Sequence, residues 1–239
     1  MPQLLVDNLA VEVVRKNIRT LRLTVYAPDG RVRVAVPLRT PEEDIRQLVV
    51  AREPWIRKHQ ERFRQQTRPL PLQYQAGETH YYLGQAYTLQ LHTTTGTPHI
   101  VLEGSNLHLH EKSGTTAPQR QQLLTAWYRA RLKEQLPILL AHWEPIVGAQ
   151  AREWGVKQMK TRWGTCNIRA KRIWLNLELV KHPPHCLAYV VVHELVHLHE
   201  RLHNSRFWGL MDEFMPNWRQ FRNELNQHSL RAGHSPDAC

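Results

Sequence analysis

YVVVHELVHLHERLHNSRFW, residues 189–208, is the stretch that decides how the chain is read. An apolar run of valine and leucine carries His193, Glu194 and His197 in the H-E-x-x-H order. On an α-helix, at about 100° per residue, His197 lies about 40° round from His193, with Cβ atoms roughly 5–6 Å apart. Two imidazoles so placed can meet one Zn²⁺ at about 2.0–2.1 Å. Glu194 projects about 100° to one side, better placed to touch a water at the metal than the metal itself, which is the position of a general base. A catalytic zinc needs a third protein ligand, and His203 is the best candidate within reach. On a continuous helix His203 would stand about 280° round from His193 and roughly 15 Å along the axis, so the helix must break near 199–202 and fold back. In the related H-E-x-x-H-x-x-G-x-x-H pattern a glycine makes that return. Glu200 stands at its position here, leaving the turn to Glu200-Arg201-Leu202 or to Asn204. Glu200, three residues after His197 on the same face, is the rival third ligand, whereas His199 points away. With 15 histidines in the chain an H-x-x-x-H pair arises readily by chance. The apolar helix, the glutamate in the base position and the downstream histidine together argue for a metal site.

Outward from this stretch, MKTRWGTCN at 159–167, RIWLNLELVKHPPHCLAYVVVHELVHL at 172–198 and LHNSRFW at 202–208 resemble the YgjP-like metallopeptidases, zincin relatives of the SprT-like and minigluzincin groups. The resemblance implies His193, His197 and His203 as zinc ligands and Glu194 as catalytic acid/base. Leu202 replaces the family's usual Asn and Asn204 its Ser, substitutions that bear on the hydrogen bonds orienting His203. GETHYYLGQAY at 77–87 is similar to a strand and turn of the same family. The likeness spans nearly the whole chain and is strongest over its C-terminal third.

The chain has 239 residues, 41% hydrophobic and 22% charged, enough for one large domain or two small ones. No apolar h-region opens it and no run approaches the roughly 18 apolar residues of a membrane span, so a cytoplasmic protein with no membrane partner is expected. Cys166, Cys186 and Cys239 are odd in number and lack framework spacing, which favours reduced thiols. Cys166 reads as a buried structural cysteine rather than a functional thiol. A net charge of +11 predicts attraction to polyanions, namely nucleic acid, nucleotide phosphates or acidic protein. No motif bears on oligomeric state.

The fold class expected is α+β, a mostly antiparallel N-terminal β region with a helix (1–116), then a zincin-like helical catalytic domain with a short β-sheet (117–239). Strands are read at 11–15, 20–26 and 31–37, with Pro28-Asp29-Gly30 as a hairpin turn. Their basic side, Arg15, Lys16, Arg19, Arg22, Arg31 and Arg33, reads as a solvated face, since nothing aromatic is interleaved for base stacking. Thr40-Pro41-Glu42-Glu43 opens a helix running to about 65 with a break near Pro54, ended by Pro69-Leu70-Pro71. Strands follow at 81–83, 86–92, 99–102 and 107–110, where His80, His92, His108 and His110 read as sheet-surface residues without metal-ligand company. A long helix spans 117–146, kinked at Pro137, and strands are expected at 156–162 and 172–179. Trp174-Leu175-Asn176-Leu177 is read as an edge strand able to pair with a substrate backbone. Trp163 and Trp208 read as core, no internal repeat is visible, and the residues from Ser229 form a loose tail.

The chemistry expected is zinc-dependent hydrolysis of peptide bonds in a peptide or protein substrate, with Lys160, Arg162 and the loop near Gly164 as oxyanion partners. Two other readings stand beside it. One is a metal-dependent nucleotide triphosphate (UTP) pyrophosphatase, a label carried by relatives in the family, although no P-loop is present. The other is a DNA-associated SprT-like protease.

Overall fold

The computed structural model describes residues 3–26, 29–65 and 72–227. Pro28, Pro69-Leu70-Pro71, Cys239 and the tail from Ser229 lie outside the described residues. Among those described, the chain forms two compact units, residues 3–65 and residues 72–227.

The first unit holds β1 (Gln3–Val6), β2 (Leu9–Lys16), β3 (Arg22–Tyr26) and β4 (Arg31–Pro37), then α1 (Glu42–Ala51) and α2 (Glu53–Gln65). Asp7 and Asn8, both at positive φ, make a two-residue turn between Val6 and Leu9, the conformation whose twist suits a hairpin. The sheet order is β1-β2-β4-β3, antiparallel at both outer pairings as the mostly antiparallel reading expected, while β2 runs parallel to β4. Period-2 alternation puts Val32, Val34 and Val36 of β4 into a core with Val11, Val13, Ile45, Val49 and Ile56. The basic face is solvated as expected, with Arg15, Lys16, Arg19, Arg22 and Arg31 exposed, and two of its arginines are tied down. Arg33 forks onto Glu12 of the neighbouring strand at 2.8 and 3.1 Å, and Arg15 donates to the carbonyls of Leu38 and Thr40. The helical break falls at Arg52, and Pro54 stands in the first turn of α2, where its missing N–H leaves no helical hydrogen bond unmade.

The second unit begins with β5 (Thr79–Tyr82), β6 (Gln85–Thr93), β7 (His99–Glu103) and β8 (Asn106–Glu111), in the order β5-β6-β8-β7 with β6 parallel to β8. This is the topology of the first unit over again, a repeat that the sequence does not display. Leu89, Leu107 and Leu109 of this sheet share one core with α3 (Ala117–Val147) and the C-terminal helices. Thr116 and Gln119 form a capping box at the start of α3 and Gly148, at φ 68°, ends it. Pro137 lies within one unbroken helix assignment. Leu124, Leu132 and Leu136 are buried along its inner face, each contributing about 2 kcal/mol of apolar burial.

Of the histidines read as sheet-surface residues, His80 alone is buried, while His92, His108 and His110 keep to the surface of the sheet. His80 is buried, with Glu78 at 3.5 Å, because β5 turns it inward. His92, His99 and His110 stack across three strands, with centroids 4.9 and 4.4 Å apart, and His92 Nε2 meets His108 Nδ1 at 2.8 Å. The register aligns His92 with His110 and His110 with His99, which is why they collect on one face.

A three-stranded sheet follows, β9 (Glu153–Lys157), β10 (Gly164–Asn167) and β11 (Arg172–Asn176), in the order β10-β11-β9. β11 is therefore central, and the expected edge at Trp174–Leu177 is corrected: the edges are β9 and β10, the latter absent from the sequence reading. Leu177–Lys181 is a 3-10 turn capped by Asn176 rather than a continuation of the strand. Then come α4 (Pro184–Val196), α5 (Ser205–Phe214) and α6 (Trp218–Gln227). The β5–β6 turn docks beside the start of α4: Leu83 and Gly84 donate to the carbonyls of Val180 and Lys181. Gly84 has φ +82°, and a Cβ there would stand 2.7 Å from Pro183 Cγ, so both backbone angle and space demand glycine.

Candidate metal centre

α4 is apolar on every side, and Leu187, Tyr189 to Val192, Leu195 and Val196 are all buried. A helix of that kind belongs inside a core, and polar groups carried into it need a purpose. His193 is 3% exposed, Glu194 0% and His197 7%. α4 ends at Val196, with His197 as its C-cap. The chain then turns back as the spacing required. Glu200 makes the turn: its carboxylate accepts from Leu202 N at 3.0 Å and its carbonyl faces His197 Nδ1 at 3.1 Å. Asn204, at the N-cap of α5, accepts from Phe207 N at 3.0 Å. Between these two devices His203 is returned to the helix it left.

The result is convergence of three imidazoles. His203 Nε2 lies 3.0 Å from His193 Nε2 and 3.1 Å from His197 Nε2, and one ligand atom of each ring lies within 4.8 Å of the others. Burial and the neighbouring rings hold His193 well below the usual histidine range, and burial likewise lowers His197. Both rings are thus neutral at pH 7. With Nδ1–H of His197 donated to the Glu200 carbonyl, its Nε2 presents a lone pair. Lone pairs directed at one another are unfavourable unless a cation or shared protons lie between them. A tetrahedral zinc with bonds of about 2.0–2.1 Å needs nitrogens roughly 3.3 Å apart, so the spacing fits with small adjustments. His193 Nδ1 is buried without a hydrogen-bond partner among the described residues, which adds to the polar cost that a bound cation would offset. Glu200, the rival ligand, acts beside His197 instead, and His199 turns away to Val147 O at 2.8 Å.

Glu194 packs against β10. A Cβ added at Gly164 would stand 2.8 Å from both Cγ and Cδ of Glu194, so this strand can pass the carboxylate only as glycine. Asn176, 0% exposed, fixes the loop leading into that strand. Its amide nitrogen donates to the carbonyls of Met159 and Arg162 at 3.0 and 2.7 Å, while its oxygen accepts from Met159 N and Glu178 N. Cys166 is half-buried; burial, then the charge of Glu194, push its thiol up to about 12, so it is a protonated thiol. Trp208 does more than fill the core. Its ring stacks on His203 at 5.3 Å, its indole N–H donates to the His203 carbonyl at 3.1 Å, and Trp218 of α6 stacks on its far side at 4.7 Å. Trp163, 5% exposed, is core as expected. Trp218 was missed as a site residue, and Gly164 and Asn176 were placed near the site but in other roles, as part of an oxyanion loop and of a substrate-pairing strand. The packing of Gly164 on Glu194 and the hydrogen bonds of Asn176 were not legible, since these roles are set by distant partners.

Among known proteins, the YgjP-like family, described as YgjP-like, metallopeptidase domain, matches residues 19–228. No curated protein matches the chain. The crystal structure of the metallopeptidase zymogen of Pyrococcus abyssi abylysin is similar over 40% of this chain and 96% of that one, at 21% identity and a TM-score of 0.37. The chain belongs to the YgjP-like family, a zinc metallopeptidase of mixed α+β architecture.

Proposed function

We propose that His193, His197 and His203 hold the zinc and that Glu194 is the acid/base of peptide-bond hydrolysis. The observation that carries this reading is the meeting of three Nε2 atoms at 3.0 and 3.1 Å beside a wholly buried glutamate. Zinc bound there supplies Lewis acidity, acidifying water and polarising a carbonyl. Glu194 takes the proton of the attacking water and passes it to the departing amine. Gly164 leaves room for that carboxylate, and Trp208 orients His203. The substrate backbone is proposed to pair with β10, which has a strand neighbour on one side only, with Lys160 and Arg162 on the loop before it. All these residues lie within 117–239, the segment read as the peptidase domain.

Glu194→Gln tests the assignment, since the amide keeps the shape and loses the base. Zinc content unchanged with turnover lowered by at least about 10²-fold is the expected result. Retained turnover removes Glu194 from the mechanism.

The charge of +11 favours a second partner class, nucleic acid or nucleotide, either as a triphosphate substrate or as the place where a DNA-associated protease finds its targets. Pyrophosphate release from UTP, dependent on Mg²⁺ and surviving chelator treatment, would favour the nucleotide reading. The cytoplasm is the compartment we infer from the reduced-thiol composition. No helix among the described residues is long and apolar enough to cross a membrane.

A further inference from the structure

We propose that His185, Cys186 and Glu224, where the first turn of α4 meets α6, form a second transition-metal site that takes a zinc-class cation, separate from the three-histidine centre. One ligand atom from each of the three residues lies within 4.8 Å of the others. His185 Nε2 stands 2.7 Å from Glu224 Oε2, and Cys186 Sγ has a weak contact with Phe221 O at 3.8 Å. One nitrogen, one sulfur and one carboxylate oxygen form a donor set suited to zinc. With bonds of about 2.0–2.3 Å, tetrahedral zinc needs its ligand atoms roughly 3.3–3.7 Å apart. The His185–Glu224 contact of 2.7 Å therefore opens by roughly 0.6 Å, and the thiol, which lies within 4.8 Å of both partners, closes by at most about an ångström, movements that side-chain rotation on two packed helices supplies.

The surroundings favour a cation. Cys186 is 0% exposed, while the side chains of His185 and Glu224 keep 39% and 29% of their exposure, so the sulfur is shielded and the other two ligands open a path for the ion and a water. Cys186 is the third residue of α4, where the positive end of the helix favours a thiolate. Burial and the Glu224 charge oppose this and hold the thiol up to about 12. A bound cation neutralises Glu224 and coordinates the sulfur, so the thiol proton is released on binding. The consequence reaches the first site through α6. Trp218 on that helix stacks on Trp208, and Trp208 stacks on His203. An ion clasping α6 to α4 would steady the third imidazole without touching it.

The test is Co²⁺ titration of the chelator-stripped full chain, followed by absorbance and by metal content. A histidine-only centre gives no thiolate-to-cobalt charge-transfer band in the near ultraviolet, and a cysteine-containing one does. We expect two equivalents and that band in the wild type. Cys186→Ser should lose the band and one equivalent, while Cys166→Ser and the double variant His193→Ala/His197→Ala should keep the band. If Cys186→Ser does not fold, Glu224→Gln should weaken the band-forming equivalent at least tenfold. No sulfur band in the wild type, a band that survives Cys186→Ser, or a band lost in Cys166→Ser overturns the proposal and leaves an ion pair beside a core thiol. A band with only one equivalent, unchanged in the His193→Ala/His197→Ala variant, would instead overturn the three-histidine assignment and leave this site standing.

Discussion

At the scale of single residues the centre depends on what Gly164 lacks. The proposed base is buried against this α-carbon, and any side chain there must push Glu194 aside or move β10. Gly164→Ala is expected to lower turnover by about 10²-fold, the cost of misplacing a reacting group by roughly an ångström, with zinc content unchanged. Steady-state kinetics beside metal analysis checks this; full activity would mean that Glu194 does not occupy its working position in contact with β10. Glu200 teaches a related lesson. By spacing it was the rival to His203 as third ligand, yet its carboxylate closes the turn and its carbonyl orients His197. Spacing along a helix places a residue on a face, but only the turn decides which of its groups faces the metal.

At the scale of elements, α4 was legible because its information is local: an unbroken apolar run, two prolines at its start and a histidine pair one turn apart. The capped long helix was legible for the same reason. β10 was not, since Gly164-Thr165-Cys166-Asn167 has no alternation to read, and it is a strand because β11 pairs with it and α4 packs beside it. The parallel pairings of β2 with β4 and β6 with β8 were illegible too, being contacts between segments separated by another strand. The second sheet carries a consequence in its histidines. Burial lowers His80, and burial followed by the charges of His99, His92 and His108 lowers His110. A histidine held below its unfolded value of about 6.5 stabilises the fold fully above that pH. Its contribution is lost as pH falls through 6.5 towards the folded value, because the unfolded chain then binds the proton more readily. Thermal melting of the zinc-loaded protein should therefore shift downward between pH 7.5 and 5.5, and His110→Asn should reduce the shift. A melting temperature flat across that window would contradict this account of the sheet.

For the whole molecule, the two units repeat one sheet order, with the second, fourth and third strands of each set in the same relation, although their sequences share no visible pattern. A sheet order is kept by which faces are buried, and many sequences satisfy that condition. The charge of +11 belongs to this scale as well. Affinity for a single-stranded or duplex oligonucleotide, followed by fluorescence anisotropy, should fall steeply with salt, about 0.9 log units per log unit of salt for each duplex phosphate neutralised. Affinity absent at low salt, or indifferent to salt, would remove nucleic acid as a partner. The claim on which all the rest depends is that three histidines from one helix and its returning turn hold one zinc. Crystals of the zinc-loaded protein, measured for anomalous scattering on either side of the zinc edge, test it most directly. The account predicts a zinc peak bound to the Nε2 atoms of His193, His197 and His203, with Glu194 beside it and not coordinating. An absent peak there, or one coordinated by Glu200 in place of His203, would contradict it.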